Sequence, residues 1–126
     1  MKKFKLKVNF KDHRGEITDI LENEKINAVT LLTIKKGKIR GNHYHKKTWQ
    51  WNYIIQGRMK LVTKLPNNKT KFIILKPGDI AVTGPNERHA LVGISFCKCL
   101  VFTKGPRGGK NYEADTFRLK KPLIQS

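Results

Sequence analysis

The stretch GKIRGNHYHKKTWQWNYIIQG, from Gly37 to Gly57, constrains this chain more than any other. His43 and His45 lie one residue apart, Gln50 follows them, and a glycine closes the segment at each end. In a β-strand alternate side chains share a face, so the two imidazoles point one way and Tyr44 the other. A short turn through Lys46 to Trp49 returns the chain as a second strand, with Gln50, Asn52 and Ile54 on the face of the histidines. The pattern predicts a hairpin across which two imidazoles and a carboxamide meet. Trp51, Tyr53 and Ile55 then point outward, an apolar row that a monomer does not usually leave in water, and this predicts a homodimer through the sheet.

Short strands and frequent turns fill the rest of the sequence. Phe4, Leu6, Val8 and Phe10 alternate with lysines and Asn9, which predicts a strand with one buried face. Asp12 to Gly15 turns the chain into a strand from Glu16 to Leu21, and a polar connection leads to Ala28–Ile34, apolar enough to be buried on both sides. Further strands are expected over residues 58–63, 71–75, 79–83, 89–94 and 97–104, separated by PNNK, PGD and GPNE turns. With no helical pattern, the fold class is all-β, an antiparallel sandwich or barrel. A chain of 126 residues makes one domain, 1–126, with its core over about 10–104 and a C-terminal extension over 105–126.

No signal peptide or membrane span is visible, so a cytoplasmic protein without a membrane partner is expected. Cys97 and Cys99 share one strand face, are badly placed to bond each other and match no zinc pattern, which reads as reduced, partly buried thiols. The 27 basic residues outnumber the 9 acidic ones, giving a formal charge of +18. Such a field steers anions toward the protein. The 21 lysines, however, run from Lys2 to Lys121 without clustering, so a solvated surface is expected and a nucleic-acid partner is not.

The spacing from Gly37 to Gly57 resembles the first motif of the cupin superfamily, G-x5-H-x-H-x4-E-x6-G, with Gln50 in place of the glutamate of metal-binding members. Gly78 and His89, in GDIAVTGPNERH, resemble the second motif, and together the two imply a cupin jelly roll. Within the cupins, RGNHYHKKTWQ is most similar to the sugar-nucleotide 3,4-ketoisomerases, which carry R-G-x-H-x-H-K and a glutamine at this place. It also resembles the R-G-x-H of the dTDP-4-dehydrorhamnose 3,5-epimerases, and FKDHRGEI resembles their F-x-D-x-R-G segment. Both families are metal-free enzymes acting on 4-keto-6-deoxyhexoses carried by a nucleotide diphosphate. The resemblance thus implies an isomerase or epimerase of surface-polysaccharide or deoxysugar biosynthesis, with a nucleotide-diphosphate sugar as substrate and no cofactor.

Proton transfer beside a ketone suits histidine, whose ordinary pKa is near neutrality. His43, the histidine common to both families, is the expected base, and His45 its partner acid or shuttle. Gln50 would hold an imidazole tautomer or bond the sugar, Asn52 shares its face, and Arg40 would compensate charge on phosphate or on an enediolate. Arg14 is expected at the diphosphate by the epimerase resemblance, and Arg107 is a weaker phosphate candidate. His89 either binds substrate, packs, or completes His43, His45 and Gln50 as ligands of Fe(II), Ni(II) or Zn(II). That last option defines the alternative, a metal-dependent dioxygenase or lyase. A non-catalytic sugar- or nucleic-acid-binding cupin is the third reading. Trp49, Trp51 and Tyr53 could stack on a base. Tyr112, Asp115 and Tyr53 are unplaced candidates for the remaining acid and base groups of an epimerase.

Overall fold

Period-2 alternation becomes strand over most of the chain. The computed structural model describes residues 1–107, 110 and 113–125. In it the strands are β1 (Lys2–Lys5), β2 (Phe10–Asp12), β3 (Gly15–Ile17), β4 (Ala28–Ile34), β5 (Ile39–Tyr44) and β6 (Trp49–Gln56), then β7 (Met59–Lys64), β8 (Lys71–Leu75), β9 (Asp79–Thr83), β10 (Arg88–Gly93), β11 (Cys97–Lys104) and β12 (Phe117–Arg118). Two antiparallel five-stranded sheets, ordered β1-β9-β6-β11-β4 and β12-β5-β10-β7-β8, face each other, and β2 with β3 forms a separate hairpin. This all-β sandwich is the jelly roll that the two motifs imply.

The inner faces carry a gradient. Along β11 the inward residues run Cys97, Cys99, Val101, Thr103, and along β6 they run backwards from Ile54 through Asn52 to Gln50. Ile34, Ile54, Met59, Leu61, Leu75, Cys97 and Cys99 fill one end of the sandwich as its apolar core. Polar side chains occupy the other end. Both cysteines are free and buried, and burial pushes the Cys99 thiol up to about 12, so they serve as small apolar fillers.

Four local expectations are corrected. The motif does not form a hairpin, since β5 belongs to one sheet and β6 to the other. The chain turns a corner between the sheets because the N–H groups of Lys46 and Lys47 and the Thr48 hydroxyl find their acceptor in the Asp115 carboxylate. At the N-terminal end β1 spans only Lys2–Lys5, and Phe4, Val8 and Phe10 are 41%, 47% and 52% exposed. The outermost strand of a sheet has one neighbour, here β9, and the chain then leaves it for the β2–β3 hairpin. β4, expected to be covered on both faces, alternates instead, with Val29 and Leu31 each 59% exposed on the outer side. The strand expected to run from Glu16 to Leu21 ends at Ile17. Among the described residues, no helix is long and apolar enough to cross a membrane.

Candidate active site

A cavity of about 400 Å³ opens between the sheets at their polar end, within the usual range for small-molecule sites. Thr30 and Leu32 of β4, Gln50 and Asn52 of β6 and Val101 of β11 line it from one sheet. Ile39, Arg40, Gly41 and His43 of β5 and His89 and Leu91 of β10 face them, with His45 just beyond β5. The expected hairpin is absent, yet its consequence survives by another route. Gln50 and the imidazoles meet across the space between the sheets, His45 Nε2 lying 3.2 Å from Gln50 Oε1.

His43 and His89 are cross-strand partners of β5 and β10, their ring centroids 4.6 Å apart and nearly perpendicular. Gly41 permits that approach: at its φ of +90°, a Cβ would stand 2.9 Å from the His89 carbonyl oxygen. The His45 ring lies 4.9 Å from His43 and 5.1 Å from His89, completing a three-imidazole cluster. Backbone carbonyls orient two of the rings, His45 Nδ1 donating to Asp115 O at 2.8 Å and His89 Nδ1 to Glu87 O at 3.0 Å. His43 Nδ1 is buried without a hydrogen-bond partner among the described residues.

Electrostatics separates the three. Burial first, then the neighbouring His89 and His45, bring the His43 imidazole down to about 3. Burial and then His45 bring His89 down to about 4, against the pull of the Glu87 carbonyl. Both rings are therefore neutral near pH 7, the state a base requires. In the unfolded chain each protonates near its ordinary 6.5, so between that value and the folded one the unfolded state binds more protons. Stability contributed by neutral burial is present above pH 6.5 and is lost as pH falls from there toward 4. Thermal melts between pH 7 and 4 are expected to show a falling melting temperature, with a shallower slope in His89→Asn. A flat profile would contradict the neutral burial of these rings.

The tail closes the cavity. Asn42, in the left-handed conformation beside His43, accepts from the N–H groups of Leu123 and Ile124 and donates to the Ile124 carbonyl. β12 pairs with β5 at His43 and Tyr44. Asp115 anchors the same segment: burial alone would raise its carboxyl, but the hydrogen bonds from Lys47, Thr48 and Lys46 together hold it below the usual range. Glu113, Thr116 and Arg118 thereby become cavity wall, with Arg118 paired to Glu113. Arg107 also lines the cavity and donates to Thr30 Oγ1.

Of the expected site residues, His43, His45, His89, Gln50, Asn52 and Arg40 are brought together, Arg40 with its Nε on the Thr33 carbonyl. Arg14 is not. It lies on the β2–β3 hairpin, bonded to Asp12, whose carboxyl it holds below the ordinary value. Trp49, Trp51 and Tyr53 face away from the cavity, Trp49 against Gly84, because they alternate with the inward residues of β6. Tyr112 lies outside the described residues. Arg118, Glu113 and Thr116 were missed, since a two-residue strand among glycines and charges has no periodicity to read.

Residues 10–79 match the sequence family described as the polysaccharide biosynthesis C-terminal domain. The chain belongs to that family. The chain is also similar in fold to solved structures. A sugar 3,4-ketoisomerase from Thermoanaerobacterium thermosaccharolyticum, in complex with TDP, superimposes with a TM-score of 0.77 at 26% identity, over 94% of this chain and 88% of that one. A mutant of the same enzyme is known in complex with TDP-4-keto-6-deoxyglucose, at 26% identity and TM-score 0.76, over 94% and 86% of the two chains. The dTDP-4-dehydrorhamnose 3,5-epimerase of Sulfolobus tokodaii is more distant, with a TM-score of 0.69 at 16% identity over 85% and 70%. No curated protein sequence matches. The likeness to ketoisomerases and epimerases that the motifs imply is thus borne out in this polysaccharide biosynthesis C-terminal domain.

Proposed function

We propose that the protein is a metal-independent sugar-nucleotide 3,4-ketoisomerase acting on a TDP-linked 4-keto-6-deoxyhexose. The observation that carries this reading is the confinement of the acid and base groups to one cluster. Moving a ketone from C4 to C3 removes a proton from C3 and adds one to the adjacent C4, which a base on one face of the sugar can do alone. A 3,5-epimerase must return protons to faces opposite those that lost them, and needs a donor across the sugar. Beyond the three imidazoles, the titratable groups lining the cavity among the described residues are Arg40, Arg107, Arg118 and Glu113, the last already paired.

In the proposed mechanism neutral His43 takes the C3 proton while protonated His45 gives one to O4, forming a neutral enediol. His45 then takes the O3 proton as the C3 carbonyl forms, and His43 returns its proton to C4. Both histidines end as they began. Arg40 and the tail arginines compensate the diphosphate charge, and the cavity wall limits water at the enediol.

Incubation with TDP-4-keto-6-deoxyglucose in deuterated water tests the reading. The expected product is the 3-keto isomer, with any deuterium at C4 and none at C5. Label at C5 would make the enzyme an epimerase.

A second reading keeps a specific observation in its favour. One nitrogen from each of His43, His45 and His89 lies within 4.8 Å of the others, and the carbonyl bonds at two Nδ1 atoms are the outer-shell pattern of metal-bound histidine. With Gln50 as a neutral fourth donor, Zn(II), Ni(II) or Fe(II) fits the set. Metal bound stoichiometrically after chelator-free purification, and removed together with activity, would favour this reading.

A homodimer belongs to the proposal. Val29, Leu31, Trp51, Tyr53, Leu100 and Phe102 share the outer face of the first sheet across β4, β11 and β6, with Ile55 at its border 44% exposed. A second copy covering this face would remove a contiguous apolar surface from water. Leu31→Glu is expected to shift the protein from dimer to monomer in light scattering at micromolar concentration, with its β-sheet circular dichroism unchanged. Wild-type protein found as monomer would refute it.

A further inference from the structure

Three arginines and one carboxylate line the cavity among the described residues: Arg40, Arg107, Arg118 and Glu113. Two of the arginines meet uncharged oxygens, Arg40 Nε the Thr33 carbonyl at 3.0 Å and Arg107 Nη2 the Thr30 hydroxyl at 3.5 Å. Arg118 instead meets the Glu113 carboxylate. The backbone at both ends of this ion pair is fixed. Arg118 stands on β12 as the cross-strand partner of His43, while its neighbour Phe117 stacks on Tyr44 at 5.4 Å beneath the Lys46 ammonium at 4.3 Å. Alternation then sends the guanidinium to the face of His43. At the other end the Glu113 carbonyl accepts from the Thr116 N–H at 3.1 Å, closing a turn whose Asp115 is held by the Lys46 and Lys47 N–H groups. The two side chains are open to water, Glu113 48% and Arg118 64% exposed. An ion pair so placed is weak and can change partners without stranding a charge, which a buried pair cannot.

We propose that Glu113 is a resident counter-ion of Arg118, displaced when the diphosphate of a nucleotide sugar enters the cavity. The incoming group carries more negative charge than one carboxylate and offers the guanidinium fork two oxygens at once, so it wins the exchange. The released carboxylate turns into solvent, and no backbone has to move. Until then the pair keeps Arg118 extended from β12 over the site. Binding works against both the pair and the charge of the carboxylate. Glu113 thereby sets how tightly the diphosphate is held and how readily the product leaves. It is a positioning residue, acting on the ligand through Arg118.

The exchange rests on the proposed isomerase reading in one respect, that the cavity takes a nucleotide diphosphate. It does not depend on which imidazole moves the proton.

Calorimetric titration at low ionic strength, with TDP and separately with inorganic pyrophosphate, tests the exchange without reference to turnover. Glu113→Gln keeps the size of the side chain and removes its charge at an exposed position. It is expected to bind TDP about three- to tenfold more tightly than the wild type, the scale of one exposed ion pair and one like charge removed, with the gain shrinking as salt is added. Arg118→Gln is expected to weaken TDP binding about tenfold. In that background Glu113→Gln is expected to change the affinity by less than about twofold, since the pair it would release is already gone. A purely structural role for Glu113 gives a loss of affinity and no gain. Unchanged or weaker TDP binding in Glu113→Gln, or an equal gain with Arg118 already replaced, would overturn the exchange and leave the isomerase reading standing. Pyrophosphate bound more tightly by Glu113→Gln, in a protein that does not bind TDP, would sustain the exchange and refute the TDP reading. Binding of neither ligand by the wild type would overturn both. Should Arg118→Gln fail to fold, Glu113→Gln and its salt dependence decide.

Discussion

His43→Asn is expected to lower turnover by about two to four orders of magnitude, the range for loss of a general base. Asparagine fills much of the space of the imidazole and cannot accept a proton near neutrality, so the change removes the chemistry more than the packing. His43 is the ring whose neutral state has the strongest support, held down to about 3 by burial and by two neighbouring imidazoles. Removing it also relieves that crowding, so the β-sheet circular dichroism should be unchanged and stability at pH 5 should not fall. Affinity for TDP should stay within about threefold, because the arginines proposed to meet the diphosphate are untouched. Such a split, with turnover lost and binding kept, separates a base from a ligand-positioning residue. Near-native turnover of TDP-4-keto-6-deoxyglucose in this variant would take His43 out of the mechanism and leave His89, its cross-strand partner, as the remaining neutral base.

The fold was legible where one face of a strand is buried. Alternation along β6 and β11 set both the inward and outward rows, and the observed register puts Gln50 opposite Thr103 and Tyr53 opposite Leu100. The site was legible because a period of two puts His43 and His45 together in any sheet. Which sheet each strand joins was not. A six-residue strand with a short connection to the next reads as a hairpin, and only Asp115, 67 residues beyond Thr48, supplies the acceptor that turns the corner instead. Long-range polar contacts of this kind leave no local pattern. The same limit hid Arg118 and the Asn42 clamp on the tail. Arg14 illustrates the opposite case: its segment is recognisable by resemblance, but the β2–β3 hairpin stands apart from this chain's own cavity.

Gly57, which ends the motif, should prove indispensable to the fold and irrelevant to the chemistry. Its φ of +78° is a conformation that costs an alanine about 1 kcal/mol. A Cβ there would also stand 2.0 Å from the Phe96 carbonyl oxygen and 3.0 Å from Cys97 Cα. Both neighbours are backbone and cannot swing aside. The turn is fastened to the same segment, with the Arg58 carbonyl accepting from Ile94 and Ser95 and its N–H donating to the Ser95 hydroxyl. Relief therefore requires β11 to move at its start, where Cys97 joins the core with Ile54 and Met59. Adding about 1–3 kcal/mol for forced repacking, Gly57→Ala should cost about 2–4 kcal/mol, read as a drop in the urea midpoint at constant m-value. Gly78→Ala is the control, since its φ is +91° and nothing lies within 4 Å of the added methyl. It should cost about 1 kcal/mol from the backbone conformation alone. Equal losses in the two variants would mean that the close approach of the β6–β7 turn to β11 is not what requires glycine. Under conditions where Gly57→Ala remains folded, its turnover should match the wild type, because the strain falls at the apolar end of the sandwich, away from the imidazoles.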